Sequence, residues 1–83
     1  MNIIFILGKI VSEIEFKFII KSKNTSIAMF KVELLNKSIV KIKCYNELAD
    51  YSYSKLNKDD NIFIEGYLNS KMEIVTKTIK KVE

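Results

Sequence analysis

Lys31, Lys41, Lys43 and Tyr45 are the residues whose types and spacing could do chemistry together. They lie in IAMFKVELL and IVKIKCY, segments that alternate between apolar and polar positions as half-buried strands do. In the first, Ala28, Phe30, Val32 and Leu34 fall on one face, with Met29, Lys31 and Glu33 on the other. In the second, Val40, Ile42 and Cys44 face inward, which turns Ile39, Lys41, Lys43 and Tyr45 outward. As neighbouring strands they would share one outer surface. Lysines present compact charges to phosphate oxygens, and an aromatic ring stacks a base at about 1–3 kcal/mol. The chemistry on offer is weak, salt-sensitive, sequence-tolerant nucleic-acid binding. Tyr67 or Phe63, in a later strand, could add an aromatic face. Outward lysines are also what any solvated strand shows, so this surface alone leaves both readings open.

Other chemistry is poorly provided for. Glu13 with Glu15, and Asp59 with Asp60, are spaced like paired carboxylates, but strand and turn solvation explains them better. Cys44 is the only cysteine, so no internal disulfide can form, and its inward phase suits packing better than nucleophilic work. There is no histidine, no metal-ligand spacing, no Gly-rich phosphate loop and no nucleophile motif. Neither an enzyme, a cofactor nor a metal is expected. Tyr51 and Tyr53 suit helix packing more than base stacking.

The net charge is +4, and every basic residue is lysine. Lysine contacts phosphate as a point charge, whereas bidentate reading of guanine uses arginine, so backbone contact is favoured over sequence reading. An AT-rich genome would produce the same bias, since Ile, Lys and Asn dominate the chain. With 83 residues the chain is expected to be a single domain, residues 1–83. A core this small contributes about 3–5 kcal/mol, so oligomerisation is expected. The apolar opening MNIIFILGKIV lacks a basic flank, is interrupted by Lys9, and is too short to span a membrane. It reads as a buried strand of a soluble protein in a reducing compartment.

The elements needed to position these residues follow in order. A long first strand runs from Ile3 through Phe16, Phe18 and Ile20 and is expected to kink near Gly8. A polar turn at Lys23, Asn24 and Thr25 leads into the second strand, and Asn36, Lys37 and Ser38 form a hairpin to the third. Asn46 is an expected N-cap, with Glu47 and Asp50 in the first turn of a short helix whose stripe is Leu48, Ala49, Ser52, Tyr53 and Leu56. A turn over 57–61 precedes NIFIEGYL, with Ile62, Ile64, Gly66 and Leu68 on one face. A turn at 69–71 precedes MEIVTKTIKKV, whose inward register the pattern does not fix. The expected fold is all-β: an OB-fold, a five-stranded Greek-key barrel with one short α-helix between strands 3 and 4.

NIIFILGKIVSEIEFKF, IAMFKVELL, CYNELAD and LNKDDNIFIEGYL, in that order, resemble the bacterial single-stranded-DNA-binding protein (SSB) family, whose shorter relatives include the primosomal replication protein PriB. The likeness covers almost the whole chain. It implies single-stranded DNA as a partner, a role in replication or maintenance, and Tyr45 at the family's aromatic position. It also implies pairing of first strands, Ile3, Ile4, Phe5, Ile6 and Leu7, across a two-fold axis to give a homodimer or higher oligomer. IIFIL is the kind of β-prone segment that, left on an edge, pairs with itself or another protein. The departures are specific. Ile14 stands where the family has proline, the loop between strands two and three is short, Ile39 replaces a tryptophan, and none stands near Met72 and Glu73. The acidic-tipped tail is absent from these 83 residues. Two functions therefore stand side by side: an SSB-like binding module, or an OB-fold accessory subunit of a larger assembly, in a bacterial cytoplasm or plastid.

Overall fold

The computed structural model describes residues 2–20 and 24–82. Six strands and one helix follow in the order β1 (Ile4–Ile10), β2 (Glu15–Ile20), β3 (Asn24–Leu34), β4 (Ile39–Tyr45), α1 (Glu47–Lys55), β5 (Asn61–Leu68) and β6 (Glu73–Val82). The hydrogen-bonded order is β1-β5-β6-β4-β3-β2, and β1 also pairs with β3. That last pairing closes β1, β5, β6, β4 and β3 into a five-stranded barrel, with β2 continuing the sheet beside β3. The OB-fold expectation holds. The helix follows the fourth strand rather than the third because the expected long first strand is two strands.

The break falls at residues 11–14, not at Gly8, and β3 shows why. Its C-terminal part pairs with β1 from Ile10↔Val32 to Gly8↔Leu34, and its N-terminal part pairs with β2 from Glu15↔Met29 onward. Between the two, Val11 N–H donates to the Lys31 carbonyl at 2.9 Å, and Lys31 N–H donates to Ser12 Oγ at 2.8 Å. A serine hydroxyl thus replaces one rung where the chain changes partner, and no backbone group of Lys31 is left unpaired.

Gly8 has a different task. It lies opposite both Ile62 of β5 and Leu34 of β3. A Cβ there would sit 2.5 Å from the Glu33 carbonyl oxygen and 2.6 Å from a Val32 methyl. Only hydrogen lets the strands cross this closely.

Alternation fills the barrel with Ile6, Ile10, Ala28, Phe30, Val32, Ile42, Cys44, Ile62, Ile64 and Ile74. Helix α1 buries Ala49 and Ser52, and Leu56 just beyond it, against this core. Asn46 serves the helix otherwise than expected. Its side chain caps nothing; it takes φ 54°, which asparagine tolerates better than most residues, while its N–H donates to the Ser26 carbonyl. Asn24 and Thr25 belong to β3 rather than to a turn, opposite Ile20 and Ile19. Lys23 lies outside the described residues.

The register of β6 escaped sequence reasoning because it changes midway. Ile74 and Thr76 lie opposite Leu68 and Gly66, but beyond a bulge at Glu65/Gly66 it is Ile79 that lies opposite Ile64. A period of two cannot describe a strand that gains a residue.

Gly8→Ala should therefore lower stability by about 1–3 kcal/mol, the usual cost of forcing atoms into a packed site. Urea unfolding would measure this, and an unchanged midpoint would show that the crossing is looser than described.

Candidate nucleic-acid interface

The pairing of β3 with β4 brings the predicted side chains onto one outer wall. Lys31 lies directly opposite Lys41, Met29 opposite Lys43, and Ile27 opposite Tyr45. Parallel pairing with β6 adds Glu73 beside Lys41 and Val75 beside Lys43, and Tyr67 lies opposite Val75. One row thus crosses four strands: Met29, Lys43, Val75, Tyr67. Tyr45 and Tyr67 are 37% and 39% exposed, enough for each to offer part of a ring.

Lys17 joins this wall, opposite Ile27 and hence in the same row as Tyr45. The sequence alone does not single it out, because it reads β2 as the continuation of the first strand. The alternation of Glu15, Lys17 and Ile19 against Phe16, Phe18 and Ile20 was the available signal.

Lys31 and Lys41 are like charges placed directly across a strand pair, an arrangement that disfavours the sheet unless an anion sits between or beside them. They border a groove of about 390 Å³ whose lining includes Met29, Phe30 and Ile42 as well as Glu13, Glu15 and Glu73. The wall is therefore not uniformly basic. Lys43 is held by two neighbours: its Nζ is 3.8 Å from Glu73 Oε1 and 5.6 Å from the centre of the Tyr45 ring. Asn69 Nδ2 donates to Glu73 Oε1 at 2.9 Å, and this bond, followed by the charges of Lys43, Lys71 and Lys41, holds the Glu73 carboxyl below the usual carboxylate range.

Phe63 does not belong to this wall. It stacks on Phe5, ring centres 6.0 Å apart, on the surface formed by β1 and β5. Ile3, Phe5 and Leu7 are exposed there, while Ile4 is half-buried and Ile6 lies in the core. Because β3 pairs with β1 only from Gly8 to Ile10, the backbone edge of Ile4 to Leu7 on that side takes no partner among the described residues.

Cys44 is fully buried, and desolvation pushes its thiol pKa up. Ser52 Oγ lies 3.5 Å from the sulfur and donates to the Leu48 carbonyl at 2.8 Å, so the cysteine sits in the seam between helix and barrel. Tyr53 rests on Phe16, ring centres 4.8 Å apart. Among the described residues, no three of His, Cys, Asp or Glu cluster as metal ligands, and no helix is long and apolar enough to cross a membrane.

A five-stranded OB barrel capped by one helix is a fold that solved structures share. The SSB domain of a Synechococcus protein matches with a TM-score of 0.82 at 17% identity, covering 95% of this chain and 93% of that one. The mitochondrial single-stranded DNA binding protein of S. cerevisiae matches at 0.81 and 17% identity, covering 99% and 94%. The single-stranded DNA binding protein of Thermus aquaticus matches at 0.86 and 14% identity, covering all of this chain but 41% of that one. No family model and no curated protein matches the chain. At such identities the likeness establishes a shared fold, the OB-fold in the form these SSB proteins carry.

The depressed Glu73 pKa has a sign. A carboxyl whose pKa is lower folded than unfolded stabilises the fold above its unfolded value, and that contribution disappears as pH falls through the folded value. Glu73→Gln should thus lower the urea midpoint slightly at neutral pH. The gap to the parent protein should close as pH drops below the ordinary carboxylate range. A gap independent of pH would remove the electrostatic account.

Proposed function

We propose that this chain is an SSB-like module that binds single-stranded nucleic acid weakly and with little regard to sequence, in DNA replication or maintenance. Residues 1–83 act as one such domain, in a bacterial cytoplasm or plastid stroma. The observation that carries the reading is the juxtaposition of Lys31 and Lys41 across β3 and β4, with Lys43 in the adjoining row and Tyr45 in the row beyond. Glu73, beside Lys41, offsets this like-charge pair only in part, and a phosphate lying across both lysines completes the relief. The exposed Tyr45 ring, two rows along β4 from Lys41, gives a base further along the strand a surface. Lys17 extends the cationic track and Tyr67 its aromatic end.

Binding is weak for two reasons. The wall has no tryptophan, and Glu13, Glu15 and Glu73 offset part of its charge. The fold of the SSB structures supports this reading, and they are single-stranded DNA binding proteins by description.

A second reading is favoured by a separate observation. Ile3, Phe5 and Leu7 are each at least half exposed beside the open edge of β1. Such a border takes another strand, from a second copy or from a different protein, and an accessory subunit of a larger assembly would use it.

Titration of a mixed-sequence single strand by fluorescence anisotropy tests the first reading. Neutralising three phosphates through Lys31, Lys41 and Lys43 gives a slope of log affinity against log salt of roughly −2, at about −0.7 per contact for single strands. Tyr45→Ala should cost about 1–3 kcal/mol of binding, and Lys41→Glu should nearly abolish it. No binding at low salt, or binding indifferent to both substitutions, removes the nucleic-acid reading. Sedimentation of native extract tests the second: co-migration with a large nuclease-resistant complex supports an accessory subunit, and a free dimer opposes it.

A further inference from the structure

Glu73 sits within a row of lysines, where a carboxylate should weaken phosphate binding. Yet its position is more closely specified than that of any lysine on the wall. Asn69 Oδ1 accepts from the N–H groups of both Lys71 and Glu73 at 2.9 Å. Those two bonds orient the Asn69 amide, so its Nδ2 must be the group that meets Glu73 Oε1 at 2.9 Å. Asn69 N–H in turn donates to the Glu73 carbonyl at 2.9 Å. The turn between β5 and β6 is thereby clamped to the first residue of β6, with Met72 at φ 64°. Lys43 also approaches Oε1, and Oε2 takes neither contact. The carboxylate lines the groove together with Met29, Lys31, Lys41, Glu13 and Glu15.

The partly exposed Met29, flanking cations and an oriented acceptor together form a receptor for more than a phosphate. We propose that Glu73 accepts a hydrogen bond from the exocyclic amino group of a base seated in this groove. The otherwise sequence-tolerant face is thereby biased toward cytosine and against thymine. This rests on the nucleic-acid reading above and gives it a specificity-determining residue.

The chemistry is one of matching and mismatching. A carboxylate has lone pairs and no proton to give at neutral pH. Cytosine presents an amino group at C4, and thymine presents a carbonyl oxygen at the same place. The amino group completes a charge-assisted hydrogen bond. The carbonyl sets lone pair against lone pair and leaves Oε2 desolvated without a donor, which discriminates more strongly than the attraction alone. The two bases are both single-ring pyrimidines, so their apolar contacts within the groove differ little. Glu73→Gln keeps the shape, retains one acceptor, and adds an amide donor that thymine O4 can accept.

Equal-length oligo(dC) and oligo(dT), titrated at neutral pH and low salt, test this on the full chain. The parent protein should bind oligo(dC) about fivefold to tenfold more tightly, the range set by one partly exposed hydrogen bond to a charged group. In Glu73→Gln, with the same circular dichroism spectrum as the parent, that preference should collapse and oligo(dT) affinity should rise. Equal affinity for both oligomers in the parent, with Glu73→Gln strengthening both alike, would show a carboxylate that only repels phosphate; the inference falls and the function stands. A cytosine preference that survives Glu73→Gln also overturns it. If neither oligomer binds, the nucleic-acid reading falls as well, and sedimentation of the native complex decides what remains.

Discussion

Everything in this molecule depends on one strand serving two partners. β3 carries β2 along its first half and β1 along its second, with β4 on its other side from Ile27 to Glu33. The transfer is possible because Ser12 substitutes for a backbone rung at Lys31 and because Gly8 lets β1 cross against Glu33 without a side chain between them. Without that crossing the sheet would be open, and its apolar face could not enclose Phe30, Ile42 and Ile64. With it, a short chain encloses a core from all sides and needs only one helix to cover the end.

Closure also decides what faces outward. The alternation that sends Ala28, Phe30 and Val32 inward sends Met29 and Lys31 out, and the register with β4 then sets Lys31 against Lys41. The start of β6 pairs with β4 and β5 at once, which sets Val75 and Tyr67 on the lysine side, and the bulge at Glu65/Gly66 then shifts its register along β5. The opposite arc of the barrel is apolar where β1 and β5 meet, around the stacked Phe5 and Phe63. One charged and aromatic wall and one apolar border are thus consequences of a single topology.

Much of this was legible in the residues. The strands over 27–34, 39–45 and 61–68 carry clean alternation, and the helix carries its stripe, so residue type alone assigns their inward and outward faces. What escaped had physical causes. The partner change at residues 11–14 depends on a serine hydroxyl bonding to a backbone nineteen residues away, which no local pattern announces. Asn46 was legible as a helix boundary but not as a positive-φ residue, because asparagine suits both roles. Lys17 and Glu73 joined the wall only through register, and Phe63 left it for the same reason. Residue type suggested a set of candidates; pairing decided which of them meet.

The central claim is that the wall formed by β3, β4 and the start of β6 is where ligand binds. Amide chemical-shift mapping by nuclear magnetic resonance, with a short single-stranded oligonucleotide added at low salt, addresses it most directly. Shifts concentrated at residues 29–31, 41–45, 67 and 73 and near Lys17, reversing as salt is raised, are the expected result. Shifts confined to residues 3–7 and 63, or a spectrum the oligonucleotide leaves unchanged, would contradict it.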